Sequence, residues 1–76
     1  MTTLAEVGPG RSAVVTGFEQ SGPVAARLMQ MGLLEGTEVT VVRRAPAGDP
    51  LEIAFAGGRL SLRKTEARLV LVNASP

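Results

Sequence analysis

The sequence predicts a mainly β fold, a small antiparallel barrel of about five strands with one α-helix between the first two strands. Short runs of alternating apolar and polar residues recur along the chain, as in strands with one buried face. Glycine and proline residues separate these runs and supply turns. Only residues 23–31 show the three- to four-residue apolar spacing of an amphipathic helix.

Length and composition limit the core and the class of protein. The 76 residues form one small domain, 1–76, in which 45% of residues are apolar and only two are aromatic, so the core is aliphatic. The net charge of +1 is too balanced to favour nucleic acid or an anionic membrane as a partner. No window approaches the roughly 18 apolar residues of a membrane span, and residues 1–10 (MTTLAEVGPG) lack the positive region and the apolar run of a secretory signal. Without cysteine, the composition is compatible with a cytoplasmic location.

The N-terminal part contains a short lead-in and the first strand. Leu4 and Val7 precede the turn signal of residues 8–10 (GPG), and we expect both to pack against the core. Residues 12–18 (SAVVTGF) then form the first strand, in which every second side chain lies on the same face.

One amphipathic helix follows this strand. Pro23 suits its first turn, because proline has no N–H to lose and a preset φ. Val24, Leu28 and Met31 fall on one line of a 3.6-residue helix, which predicts that they face the core. We expect Gly32 to end the helix in the left-handed conformation.

A tight corner joins the helix to the second strand. Leu33 follows the helix-ending glycine and is expected to fold back onto Leu28. Leu34 instead begins a turn, residues 34–37 (LEGT), in which Gly36 takes a positive φ. The alternation of the following strand gives Leu34 no inward partner.

Four further strands complete the predicted barrel. Two prolines and a glycine interrupt residues 45–50 (APAGDP), so this stretch is a loop. Gly57 and Gly58 both tolerate positive φ and predict a hairpin turn. Residues 64–67 suit a single helical turn, and the tail, residues 73–76, is expected to fray. The four strands themselves are expected at residues 37–44, 51–56, 59–63 and 68–72.

Five short strands and one helix in so short a chain favour an SH3-like barrel. Closure or near-closure of the sheet removes exposed edges, which matters for strands this hydrophobic. An OB-type barrel is the nearest alternative, but it usually carries its helix between the third and fourth strands.

Most of the residue types that catalysis requires are missing. With no histidine and no cysteine, the chain lacks the commonest general base, the best thiolate nucleophile and the soft metal ligands. The seven carboxylates show no spacing typical of an acid–base pair or a calcium loop. No Walker loop occurs. The sequence therefore predicts a protein that is not an enzyme, with no catalytic, cofactor-binding or metal-ligating residues.

Two surfaces are candidates for a partner interface. The first is the helix end and the corner after it, which either extend the core or expose an apolar patch of the kind that marks a protein interface. The second is a pair of arginines on the second strand. The alternative for these arginines is a solvated face without a partner, because the aromatic residues on which nucleic-acid bases stack are missing. The candidate interface residues are Arg27, Met29, Leu33, Leu34, Arg43 and Arg44.

Three sequence blocks suggest a family. They are R-L-M-Q-M-G-L-L-E-G-T-E-V (residues 27–39), A-P-A-G-D-P-L (residues 45–51) and L-S-L-R-K-T-E-A (residues 60–67). With the connecting strands they span residues 10–72, and together they resemble the FeoA family, ferrous-iron transport protein A. Glu35 departs from the family pattern, where many members have proline, but glutamate also fits the first corner position of a turn.

The resemblance implies a small cytoplasmic SH3-like protein of a bacterial ferrous-iron uptake system. Such a protein is an accessory or regulatory subunit of the membrane permease, whose cytoplasmic part carries a GTP-binding domain. The family has no established catalytic residues to carry over. Self-association stays open, as does the question whether the subunit activates, inhibits or stabilises the permease.

Two other classes of protein stay open. The same barrel serves as the C-terminal domain of iron-dependent repressors, where it packs against its own chain. Here Met1 opens the fold without a preceding helix-turn-helix, which favours a free-standing subunit. The second class is a small-barrel nucleic-acid binder of the ribosomal or elongation-factor kind, whose affinity would fall steeply with salt.

Overall fold

Six β-strands in one antiparallel sheet form most of the structure. The computed structural model describes residues 2–74. Its elements, in chain order, are β1 (Thr2–Thr3), a 3-10 turn (Leu4–Glu6), β2 (Ser12–Phe18), α1 (Pro23–Gln30), β3 (Glu38–Arg44), β4 (Leu51–Phe55), β5 (Gly58–Leu62), α2 (Lys64–Ala67) and β6 (Val70–Ala74). The sheet order is β1-β6-β2-β3-β4-β5, so β1 and β5 are its edges. The mainly β prediction, with α1 between the first two long strands, is confirmed.

The edge strand β1 is absent from the five predicted strands. Thr2 and Thr3 pair with Val72 and Leu71 of β6. Two residues are too few for a period-two pattern to be visible in a sequence. Tertiary pairing with β6 therefore defines this strand, and the sheet has six strands instead of five.

Alternation along the long strands supplies the core. Val39 and Val41 of β3 and Leu51 and Ile53 of β4 are completely buried, as their period-two spacing predicts. Every buried side chain among those described is apolar. Burial of one such valine, leucine or isoleucine contributes roughly 1.5–3 kcal/mol to stability. The core consists of Leu4, Val7, Ala13, Val15, Ala25, Leu28, Leu33, Val39, Val41, Leu51, Ile53, Leu62, Ala67, Val70 and Val72.

The last strand runs farther than the sequence predicts. Asn73 pairs with Val14 of β2, and Ala74 pairs with Ala13. The prediction of a frayed tail is therefore wrong for these two residues, because backbone pairing continues past Val72, the predicted end of the strand. Residues 75 and 76 of the predicted tail lie outside the described residues.

The hairpin between β4 and β5 turns one residue earlier than predicted. Phe55 pairs with Gly58, which leaves Ala56 and Gly57 as the two central residues of the turn. Their φ angles are +51° and +81°, and positive φ at both positions is typical of a type I′ turn. Gly58 is thus the first residue of β5, and an alanine occupies a left-handed position that favours glycine or asparagine.

Candidate functional site

The end of α1 sets the geometry of the candidate interface. Gly32 has a φ of +104°. The N–H of Leu33 donates to the carbonyl of Leu28 at 3.0 Å, and the N–H of Gly32 donates to the carbonyl of Met29 at 3.0 Å. These two bonds make a Schellman motif, in which a left-handed glycine satisfies the last carbonyls of a helix. The prediction that Gly32 ends the helix is confirmed.

The turn after the helix is anchored to β2. The N–H of Thr37 donates to the carbonyl of Leu34 at 3.0 Å, and Gly36 inside this turn has a φ of +90°, as predicted. The N–H of Gly36 donates to the carbonyl of Val15 at 2.7 Å. The N–H of Val15 in turn donates to the carbonyl of Thr37 at 2.9 Å. The corner is therefore hydrogen-bonded into the sheet.

Three large apolar side chains are exposed on this anchored corner. Met29 is 41% exposed, Met31 is 47% exposed and Leu34 is 50% exposed. They are the exposed large hydrophobic residues of the described part of the chain, and all lie within residues 29–34. We call these three residues the apolar corner. Exposed apolar side chains that form a patch are typical of a surface that contacts another protein.

Leu33 and Met31 differ from their neighbours in this region. Leu33 belongs to the predicted interface set, yet its side chain is completely buried, so it anchors the corner from inside. Met31 is predicted to face the core, and this prediction is wrong. It is the C-cap residue of α1, where the chain leaves the helix and the helical stripe no longer applies. Its place immediately before Gly32 identifies it as the residue at which the helix ends, but not as exposed.

Arg27 lies on α1, beside the apolar corner in sequence. Its guanidinium forms an ion pair with the carboxylate of Glu66, which joins α1 to α2. The other carboxylate oxygen of Glu66 accepts a hydrogen bond from the N–H of Arg63 at 2.9 Å. Arg27 therefore has a defined position, and more than half of its side chain stays exposed.

Arg43 and Arg44 are adjacent in sequence but have different surroundings. Arg44 donates hydrogen bonds to the carbonyls of Ala5 and Val7, so it ties the N-terminal lead-in to β3. Arg43 is largely exposed, and its Nε lies 3.1 Å from a carboxylate oxygen of Glu52. Of the two, Arg43 is the one that a partner can reach, although it is paired with Glu52.

Three of the arginines at or near the candidate interface residues form ion pairs with carboxylates. Glu66 pairs with Arg27, and Glu52 pairs with Arg43 and Arg59. Within residues 2–74, no group of three or more His, Cys, Asp or Glu side chains is placed to hold a metal ion. None of the helices in that range has the length and apolar character needed to cross a membrane.

Comparison with known families decides the assignment. A family model described as the FeoA domain matches residues 2–74. This chain belongs to the FeoA family. The resemblance of the three sequence blocks is thereby confirmed, and FeoA proteins are linked to ferrous-iron transport.

A curated relative joins the FeoA domain to a transporter in one polypeptide. The Fe(2+) transport protein A/Fe(2+) transporter FeoB fusion protein of Porphyromonas gingivalis is 33% identical to this FeoA chain over 69 residues. The match covers 91% of this chain and 8% of the fusion protein. The chain thus spans a small part of the curated relative that it matches.

Solved structures of FeoA proteins share the fold. Iron(II) transport protein A of Clostridium thermocellum is 34% identical, with a TM-score of 0.90 over 96% of this chain and 45% of that chain. FeoA of Stenotrophomonas maltophilia in complex with zinc, described as a prokaryotic SH3 domain protein, is 34% identical. Its TM-score is 0.86 over 96% of this chain and 91% of that chain. The SH3-like prediction is confirmed.

A repressor shares the fold as well. A manganese-dependent transcriptional repressor in complex with manganese has a TM-score of 0.86 over 96% of this chain and 36% of the repressor. At 16% identity this likeness concerns the fold alone. The barrel by itself therefore does not separate the two classes, and the assignment to ferrous-iron transport rests on the FeoA family match.

Proposed function

We propose that this FeoA chain is a cytoplasmic accessory subunit of ferrous-iron uptake that acts by direct contact with the ferrous-iron transporter. The fusion protein of P. gingivalis supports this, because it holds the matching segment and the transporter in one polypeptide. Covalent linkage raises the effective concentration of two parts that must associate. The subunit contributes binding and regulation and performs no catalysis of its own.

The apolar corner is the observation that carries the proposal. Leu34 is half exposed, although the hydrogen bonds at Thr37 and Gly36 fix the backbone around it. A preordered surface loses little conformational entropy on binding. Because half of Leu34 is already buried, burial of the other half in a pocket of the transporter's GTP-binding part contributes roughly 0.8–1.5 kcal/mol. That corresponds to about a four- to tenfold gain in affinity.

Arg27 and Arg44 have different roles with respect to the proposed contact with the transporter. Arg27 precedes Met31 by one helical turn and is more than half exposed, and a charged residue beside an apolar contact adds orientation and speed of association more than affinity. Arg44 holds the lead-in by two hydrogen bonds to backbone carbonyls. We therefore assign Met29, Met31, Leu34 and Arg27 to the interface.

The test is association with the transporter in membranes, measured together with ferrous-iron uptake. Leu34→Asp removes the apolar contact and places a charge there, so we expect association to weaken about tenfold or more and uptake to fall, because burial of an unpaired charge adds to the lost contact. Ala47→Asp is the matched control, because Ala47 is exposed in the loop between β3 and β4 and receives the same charge. Both variants are expected to melt close to the unmodified protein.

Normal association of the Leu34→Asp variant would contradict the proposal. If Leu34→Asp is folded, associates with the transporter as tightly as Ala47→Asp does and supports normal uptake, the apolar corner is not the contact. Charge reversal at Arg43, the exposed arginine of β3, is then the next variant to compare.

A further inference from the structure

The outer edge of β5 is a second surface, separate from the apolar corner. β5 ends the sheet order and is bonded to β4 on one side only. Phe55 and Gly58 close a two-residue hairpin, so hydrogen-bonded and non-bonded pairs alternate from there along the two strands. Arg59 and Ser61 fall at the non-bonded positions. Their N–H and C=O groups therefore point away from β4.

These backbone groups are available to a partner. Within residues 2–74, no hydrogen bond from outside the β4–β5 pair reaches the backbone of Arg59 or Ser61. Both residues are exposed. An unpaired edge of this kind accepts an additional strand, and main-chain hydrogen bonds then supply much of the affinity.

The face beside this edge carries more arginine than carboxylate. The strand registers place Arg43, Glu52 and Ser61 in one row across β3, β4 and β5. Glu52 lies 3.1 Å from Arg43 and 3.7 Å from Arg59, so one carboxylate serves two guanidinium groups. One positive charge is left over.

Arg63 adds to this surplus. It lies two residues after Ser61, on the same face of the chain, and it is exposed. Its guanidinium forms no ion pair with the described part of the chain. Two adjoining surface depressions share Pro50 and Ser61. One is lined by Arg43, Arg44 and Glu52, and the other by Arg27, Arg63, Asp49 and Glu66. We call the two depressions together the trough, and its lining holds four arginines against three carboxylates.

This charge pattern argues against a second copy of the chain. If two β5 edges paired in antiparallel fashion about Ser61, Arg59 of one copy would lie opposite Arg63 of the other. Like charges directly opposite each other destabilise a sheet, and charged side chains on an edge are a common protection against self-pairing. The complementary occupant is an extended segment that carries carboxylates.

We propose that the outer edge of β5 binds an extended, acidic peptide segment of a partner protein by strand addition. The segment forms a seventh strand, and its backbone bonds to that of Arg59 and Ser61. Alternate aspartate or glutamate side chains of the segment then lie beside Arg59 and Arg63 of the edge, whereas Arg43 lies on β3, about 14 Å away across the sheet, and adds only to the positive potential. This surface is independent of the docking proposed at the apolar corner, so either can fail without the other.

The probe is a short peptide in which glutamate alternates with valine, titrated into isotope-labelled protein. We expect the amide resonances of Arg59 and Ser61 to shift and their hydrogen exchange to slow. Binding is expected to weaken as salt is added, because exposed charges are screened. A peptide with lysine in place of glutamate is expected not to bind. Leu34→Asp is expected to leave binding of the acidic peptide unchanged.

Matched arginine variants complete the test. Arg59→Glu is expected to weaken peptide binding about tenfold or more, because the added carboxylate repels the peptide and Glu52. Arg68→Glu makes the same charge change at an exposed arginine outside the trough and is expected to bind normally. Equal binding by the two variants overturns the proposal. Peptide binding that leaves the amides of Arg59 and Ser61 unprotected also overturns it, since that identifies a simple anion site.

Discussion

The corner between α1 and β3 and the hairpin between β4 and β5 both reverse the chain through positive φ angles, but with different residues. At the corner these positions are Gly32 and Gly36, at +104° and +90°. At the hairpin they are Ala56 and Gly57, at +51° and +81°. Glycine takes such angles without penalty, whereas an L-residue in the left-handed region costs roughly 1–2 kcal/mol.

The two turns also differ in what lies beneath them. At the corner a completely buried side chain, Leu33, directly precedes a half-exposed one, Leu34. At the hairpin both central residues, Ala56 and Gly57, are exposed. The corner therefore presents apolar side chains on a backbone that the core holds in place, which is what a binding surface requires. The hairpin fixes the register of an edge strand.

The largest effect is expected from the two neighbouring leucines of the corner. Leu33→Ala removes a completely buried side chain and should lower the free energy of unfolding by about 2–5 kcal/mol. Leu34→Ala, one residue later, should change it by less than about 0.5 kcal/mol, because that side chain is half exposed. Urea unfolding of the two variants measures both values. Equal losses would contradict the division between an anchoring and a contacting leucine.

The conformation of Gly32 is expected to give the next largest effect. An added Cβ would lie 3.5 Å from the ring of Phe55, an ordinary contact, so the cost comes from the φ of +104°. Gly32→Val should therefore lower the free energy of unfolding by more than ~1 kcal/mol, the usual difference between glycine and alanine inside a helix. Gly17→Val is the control, since Gly17 has an unstrained φ and open space around it. Thermal melts decide, and an unchanged midpoint for Gly32→Val would rule out the helix-end assignment.

The hairpin offers a smaller effect of opposite sign. Ala56→Asn creates the Asn-Gly pair that type I′ turns favour and should stabilise the protein by about 0.5–1 kcal/mol. Ala47→Asn makes the same substitution at an exposed alanine whose φ is not positive and should be neutral. Denaturant midpoints of both variants test this. A loss of stability in Ala56→Asn would argue against the positive φ of Ala56.

The sequence predicts those parts of the fold in which backbone and side-chain signals agree. Pro23 at the start of α1 and Gly32 after its end mark the helix, and both stand where expected. The sequence places the turn of the hairpin one residue too late, because Gly57-Gly58 is a stronger turn signal than Ala56-Gly57. In the structure Ile53 lies opposite Leu60, whereas a turn at Gly57-Gly58 would place Leu62 there. Both registers keep the apolar side chains on one face, so the alternating pattern does not distinguish them.

The candidate site can also be predicted only in part, because a local sequence pattern does not contain the contacts that the folded chain makes. The exposure of Leu34 follows from its lack of an inward partner in the strand pattern. The exposure of Met31 does not, because a helical stripe assumes that the helix continues. The hydrogen bonds from Arg44 to Ala5 and Val7 join residues 39 and 37 positions apart, and only the folded chain brings them together.

Photo-crosslinking from position 34 tests the proposed contact most directly. The chain contains no cysteine, so Leu34→Cys and Ala47→Cys each provide a single attachment point for an apolar photoreactive label. In membranes that contain the ferrous-iron transporter, the label at position 34 is expected to crosslink to the GTP-binding part of the transporter, and the label at position 47 is not. Crosslinking from position 47 with none from position 34 would contradict docking through the apolar corner.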